Sequence, residues 1–186
     1  YYVVYCRLSD APGAKGVGAL LVDKDMPGVG FGKREELMGF RGIETRDIAF
    51  DAVRVPQDNL IVGAGGFGKL MSAFGLERCG NATQSLGLAA GALEQATAYV
   101  QERTAFGKPI VDFQAVQLRL ADMAMRVEAA RLLIYRAAAN AEYQENGLPS
   151  VYESSVAKCF ANEIARSVTA DGMQVMGGYG YHKEYG

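Results

Sequence analysis

The pattern of apolar and polar positions changes near residue 65. Before that point, short runs rich in β-branched and aromatic residues alternate with turn residues, which is typical of strands in an antiparallel sheet. The predicted strands are residues 3–8, 17–22 and 47–55. They predict an antiparallel sheet or barrel that is incomplete within this chain.

After residue 65, apolar residues recur at spacings of three and four, the period of an amphipathic helix. The series at 82–100 and 113–134 predict two long helices, and a third is expected at about 150–176. Gly-Pro breaks at 107–109 and 147–149 separate them. Because short connections make neighbouring helices antiparallel, we expect an up-down bundle that lacks at least one helix.

Two helix starts carry capping signals. Asp112 is a candidate N-cap of the second helix, and Ser150 caps the third with Glu153 completing a capping box. The whole pattern predicts an α+β fold, with a partial β-barrel or sheet in residues 1–62 and an up-down antiparallel helical bundle in residues 63–186. Both ends read as interrupted elements, so we expect a fragment truncated at both ends.

Composition excludes several classes of protein. The 186 residues are 49% hydrophobic and 22% charged, with a net charge of −2, as in ordinary globular proteins and without the basic excess of a nucleic-acid binder. No apolar run is long enough to span a membrane. One His and three scattered Cys argue against a metal site or a disulfide framework. With no signal peptide, we expect the bacterial cytoplasm or the mitochondrial matrix, not secretion.

One glycine motif matches a nucleotide-binding pattern without the fold that the pattern requires. Residues 63–68, GAGGFG, match the GxGxxG pattern of dinucleotide-binding folds. Those folds need a second parallel strand after the helix. Here the helical period continues to about Arg103 and another helix follows, so we interpret these glycines as a strand-to-helix connection.

Two further segments have an ordinary and a functional interpretation. Residues 102–110, ERTAFGKPI, could be a helix end with a Gly-Pro stop, or Arg103 and Phe106 could bind a phosphate-bearing ligand together with the nearby Gln114. Three glycines within 177–180 exceed what a helix C-cap needs and would let the backbone approach a ligand.

Glu77 and Arg78 lie within the first long helix. A helical Glu usually forms a surface ion pair. The alternative is a catalytic base that faces a cleft, with Arg78 orienting it.

Together these segments resemble the flavin-dependent acyl-CoA dehydrogenases. The matching segments, in chain order, are residues 38–42 (MGFRG), 51–56 (DAVRVP), 102–110 (ERTAFGKPI), 113–114 (FQ), 121–124 (ADMA) and 174–180 (QVMGGYG). The resemblance covers essentially the whole chain. It implies that residues 1–62 end the family's middle β-domain and that 63–186 form most of its C-terminal helical domain.

The resemblance implies roles for specific residues. Contacts with FAD fall on Arg103, Phe106, Gln114, Gln174, Gly177 and Gly178. Contacts with an acyl-CoA substrate fall on Gly75, Leu76, Glu77 and Arg78. In the family the FAD-contacting segments reach the flavin of a neighbouring subunit, which implies a homo-oligomer, commonly a tetramer.

The implied reaction is α,β-dehydrogenation to the trans-2-enoyl-CoA. A Glu removes the α-proton, the β-hydrogen leaves as hydride to flavin N5, and electrons pass to an electron-transferring flavoprotein. Most members supply the base from a loop that would follow residue 186, and a minority supply it from the position of Glu77; both remain open. So do acyl chain length, an acyl-CoA oxidase or flavin monooxygenase on the same scaffold, and a non-catalytic helical interaction module.

Overall fold

The computed structural model describes residues 1–40 and 42–185. Arg41, within the MGFRG segment, lies outside the described residues. The chain divides into two compact units, Tyr1–Met71 and Ser72–Gly186. The division that the sequence predicts after residue 62 falls at the end of a strand, and as a domain boundary it stays a prediction.

The described part of the first unit forms two antiparallel sheets. The strands are β1 (Tyr2–Arg7), β2 (Val17–Val22), β3 (Val29–Arg34), β4 (Arg46–Phe50) and β5 (Leu60–Val62). Strand β2 lies between β1 and β5, and β3 pairs with β4. Ala19 and Val22 on the central strand are accordingly buried.

The strand predicted at 47–55 is shorter than expected. It ends at Phe50, because Ala52 turns the chain with a φ of 50°, although the N–H of Asp51 still donates to the carbonyl of Gly28 (2.9 Å). The predictions at 3–8 and 17–22 are confirmed as β1 and β2.

Three long helices form the bundle of the second unit and match the predicted ones. They are α1 (Phe67–Glu102), α2 (Gln114–Ala139) and α3 (Val151–Met176). Helices α2 and α3 are antiparallel, since Arg119 near the start of α2 pairs with Asp171 near the end of α3 at 2.5 Å. Helices α1 and α3 run parallel. The predicted up-down arrangement is therefore confirmed.

Small and branched side chains fill the bundle core. Its buried members on α1, α2 and α3 are Cys79, Ala82, Leu86, Ala89, Ala96, Met123, Val127, Ala130, Ile134, Ala137, Ala157, Ala161, Ile164, Ala165 and Val168. Two asparagines also join α1 to α3, with Asn162 Nδ2 donating to Asn81 Oδ1 at 3.0 Å. Among the described residues, no helix is both long and apolar enough to cross a membrane.

One predicted cap is confirmed and the other is wrong. Ser150 caps α3, its Oγ accepting the N–H of Glu153 at 3.2 Å. The Glu153 carboxylate accepts from Asn140 at 2.8 Å, which ties it to the end of α2. Asp112 does not cap α2: it belongs to a 3-10 turn, and Phe113 occupies the N-cap without a side-chain capping bond.

Candidate functional site

A short β-hairpin follows α1, with two residues in each strand and two in the turn. Strands β6 (Thr104–Ala105) and β7 (Lys108–Pro109) pair across a turn of Phe106 and Gly107, whose φ angles are 54° and 82°. Two left-handed residues define a type I′ turn, which favours Asn and Gly. A bulky residue at such a position is uncommon, and the ring of Phe106 is 96% exposed. A strained backbone that presents an aromatic ring to solvent indicates a function for that ring.

A pocket of about 430 Å³ lies between the ends of α1 and α3. Its lining residues are Tyr99, Arg103, Ile110, Val175, Met176, Gly177, Gly178, Tyr179 and His182. Because α1 and α3 are parallel, their C-terminal ends meet here. The structure thus brings together Arg103 and the two glycines, which the sequence placed in separate motifs.

The backbone beside Arg103 is open. Gly177 has a φ of 60°, and a Cβ added at Gly177 or Gly178 would meet no described atom within 4 Å. The guanidinium of Arg103 lies 5.7 Å from the centroid of the Tyr179 ring. An arginine fork, accessible backbone and aromatic rings are the groups that bind a phosphate attached to a planar ring.

The electrostatics of the pocket depend on Arg103. A helix C-terminus carries about half a negative charge, so the two helix ends that meet here oppose an anion with about one unit of charge. The guanidinium of Arg103, which lines the pocket, opposes that charge and can attract an anion as a bidentate donor.

The other predicted FAD contacts lie outside this pocket lining. Phe106 packs edge-on against Phe113, with ring centroids 6.1 Å apart, and Gln114 is exposed at the first position of α2. Gln174 is exposed on the last turn of α3, where its carbonyl accepts the N–H of Gly177.

The sequence did not single out three aromatic residues of the pocket, namely Tyr99, Tyr179 and His182. One signal was available for Tyr99, which precedes Arg103 by four residues and so lies on the same helix face. His182 is the single histidine of the chain. Tyr179 lies between two glycines and carries no pattern of its own.

The predicted substrate contacts lie far from this pocket. Glu77 lies on α1 and precedes Arg103, the residue that directly follows the helix, by 26 residues, a distance of about 39 Å at 1.5 Å per residue. Gly75 is buried, and a Cβ there would lie 2.5 Å from the carbonyl oxygen of Pro149, so close packing accounts for this glycine. Leu76 is exposed.

Glu77 and Arg78 have unused hydrogen-bonding capacity. In the described part of the chain no basic group lies within ion-pair distance of the exposed Glu77 carboxylate, so the surface ion-pair interpretation lacks a partner. Arg78 is half-buried, and within residues 1–40 and 42–185 its buried Nη1 finds no acceptor. Those residues also contain no group of three His, Cys, Asp or Glu side chains placed to hold a metal ion.

Comparison with known proteins gives consistent matches. Residues 64–186 match the family model of the acyl-CoA dehydrogenase C-terminal domain. The chain is 42% identical over 184 residues to the caffeyl-CoA reductase-Etf complex subunit CarC of Acetobacterium woodii, covering 98% of this chain and 48% of that protein.

Comparison with solved structures also gives consistent matches. The chain is similar to butyryl-CoA dehydrogenase from Megasphaera elsdenii, with a TM-score of 0.92 and 37% identity over 100% of this chain and 48% of that one. It is also similar to the FAD complex of PigA, with a TM-score of 0.88 and 28% identity over 99% of this chain and 48% of that one. The chain spans about half the length of these relatives.

Proposed function

The chain belongs to the acyl-CoA dehydrogenase family, and from that premise we propose that the protein oxidises an acyl-CoA thioester to the trans-2-enoyl-CoA with FAD as its cofactor. The observation that carries the proposal is the pocket in which Arg103 meets the open backbone of Gly177 and Gly178. The names of the relatives support it, since they include a butyryl-CoA dehydrogenase and an FAD complex.

Residues of the pocket, together with Phe106 and Gln114 outside its lining, fit FAD. Arg103 would bind the pyrophosphate as a bidentate donor, and Gly177 and Gly178 would let the backbone approach it. The exposed Phe106 ring would stack on a planar part of the cofactor, and the amide of Gln114 offers donors and acceptors at the start of α2. When bound, FAD supplies the acceptor for the hydride that leaves the β-carbon.

Glu77 is the candidate base for the α-proton. Its carboxylate is exposed on α1 and has no cationic partner in the described part of the chain, so it is available to take up a proton. Arg78 carries a buried donor that requires an acceptor, such as an oxygen of the acyl-CoA. Hydrogen bonds to the thioester carbonyl would stabilise the negative charge that develops as the proton leaves.

The separation of the two clusters supports an oligomeric enzyme. Glu77 on α1 and Arg103 directly after its end are about 39 Å apart, farther than an extended FAD molecule reaches. We therefore propose that Arg103 serves the flavin of a neighbouring subunit in a homotetramer. The Etf in the name of CarC supports an electron-transferring flavoprotein as the electron acceptor.

The test is reduction of the purified protein's flavin by acyl-CoA under anaerobic conditions. Butyryl-CoA, branched and longer thioesters should bleach the yellow absorbance and yield enoyl-CoA. Reoxidation should then be rapid with electron-transferring flavoprotein and slow in air-saturated buffer. Rapid peroxide release would assign an oxidase instead, and a protein without flavin would support the non-catalytic interaction module.

The base is tested separately with Glu77→Gln, and Glu94→Gln is the matched control because Glu94 is exposed on the same helix. We expect Glu77→Gln to retain FAD and to lose about 10²- to 10⁴-fold in the rate of flavin reduction. The control should react like the wild type. Near-normal reduction of Glu77→Gln would move the base to another carboxylate and leave the proposed reaction intact.

A further inference from the structure

We propose that Tyr179 is a positioning residue that holds the guanidinium of Arg103 at the pocket. The inference rests on the proposed function, because the ligand concerned is FAD. The Arg103 carbon Cζ lies 5.7 Å from the centroid of the Tyr179 ring, within the range of a cation–π contact. Among the described residues no carboxylate forms an ion pair with Arg103, so this ring is the contact that restrains its charged end.

The ring of Tyr179 is itself held by other rings. Its centroid lies 6.3 Å from that of Tyr99, 5.6 Å from Tyr185 and 5.5 Å from His182. Tyr99 and Tyr185 also meet edge to face at 6.0 Å. All four distances fall in the range of favourable aromatic pairs. The cluster therefore fixes Tyr179, which belongs to the segment after α3, against the last turn of α1.

An aromatic ring suits this task better than a carboxylate. A carboxylate partner would occupy two guanidinium N–H donors and cancel the charge that the helix ends require. An aromatic ring attracts the cation through its face. It engages no guanidinium N–H in a bidentate hydrogen bond, so these donors remain available to a pyrophosphate. Tyr179 thus restrains Arg103 without consuming its capacity to bind the ligand.

The test is a titration of the flavin-free protein with FAD, followed by flavin fluorescence. Tyr179→Phe keeps the ring and should bind like the wild type. Tyr179→Leu removes it and should bind about 2- to 5-fold more weakly. Tyr99→Leu loosens the ring and should shift affinity in the same direction by less. Tyr143→Leu is the matched control, since Tyr143 is 77% exposed and lies between α2 and α3.

A double-mutant cycle separates positioning from a merely structural role. In an Arg103→Gln background, Tyr179→Leu should cause no further loss of FAD affinity, and thermal unfolding should show that the flavin-free variants are folded at the temperature of the titration. Additive losses of FAD affinity in the cycle, or wild-type affinity in Tyr179→Leu, would overturn the inference. If Tyr179→Leu does not fold, the same cycle is run with Tyr99→Leu, and additive losses there would overturn the inference. A wild-type protein that fails to bind FAD would overturn the proposed function instead.

Discussion

Replacing Gly75 with Ala distinguishes packing from substrate contact at the start of α1. The added Cβ would lie 2.5 Å from the Pro149 carbonyl oxygen, about 0.9 Å inside ordinary contact distance, and 3.8 Å from Ser154 Oγ. Pro149 immediately precedes the Ser150 cap, and the Ser154 hydroxyl donates to the Ser150 carbonyl at 2.7 Å. A shift of this backbone therefore disturbs the first turn of α3.

The net effect is the difference between two terms. Ala is preferred over Gly in a helix interior by about 1 kcal/mol. Inserting a methyl group into a packed contact costs about 1–3 kcal/mol. Since the clashing atom is backbone, the upper part of that range applies, and we expect Gly75→Ala to lower the free energy of unfolding by about 1–2 kcal/mol. A shift of that size lowers Tm by about 2–8 °C in a protein of this length.

The control is Gly80→Ala, five residues further along α1, where a Cβ meets no described atom within 4 Å. Urea unfolding should show Gly80→Ala as stable as the wild type or up to about 1 kcal/mol more stable. The decisive comparison also measures the affinity of each folded variant for acyl-CoA. Full stability of Gly75→Ala with loss of acyl-CoA affinity would refute the packing argument and assign Gly75 to the substrate.

Three further outcomes are expected. Phe106→Asn relieves the left-handed strain at the hairpin tip and removes its ring, so the flavin-free protein should melt at a higher temperature while FAD binding weakens about tenfold or more. Asn162→Leu leaves the Asn81 amide and the Ser85 hydroxyl without their partner, so urea unfolding should show a loss of about 1–3 kcal/mol. Burial, with a smaller effect of a nearby carboxylate, raises the pKa of the Cys79 thiol in the folded protein above 9.0. As the pH rises, the thiol of the unfolded chain therefore ionises first, so the free energy of unfolding should hold below pH 9.0 and fall above it. The fall should be smaller in Cys79→Ala.

The long elements follow from the sequence because their periods repeat many times. Long helices at the places of α1, α2 and α3 were predicted from apolar spacing and Gly-Pro breaks, although the series at 82–100 and 113–134 did not reach the start of α1 or the end of α2. Ser150 was identified as a cap from its residue type. Short connections fixed the up-down order of the helices. That order places the C-terminal ends of α1 and α3 together, and so it also determines where the pocket forms.

The missed elements are those too short or too glycine-rich to carry a period. Strand β3 reads Val-Gly-Phe-Gly-Lys-Arg, in which two glycines interrupt the alternation of side chains. Strands β6 and β7 have two residues each, so the turn at Phe106 and Gly107 was interpreted as a helix stop. The contact of Tyr179 with Arg103 joins residues 76 positions apart and depends on how the helix ends meet.

Helix α1 carries Glu77, and Arg103 directly follows its last residue about 39 Å away. In an assembly where each flavin contacts Glu77 of one copy and Arg103 of another, the Glu77 and Arg103 of any single chain act in different active sites. Inactive Glu77→Gln and Arg103→Ala chains, co-assembled, would then form some sites with both defects and others with neither. Two inactive proteins would thereby complement each other and regain part of the wild-type activity.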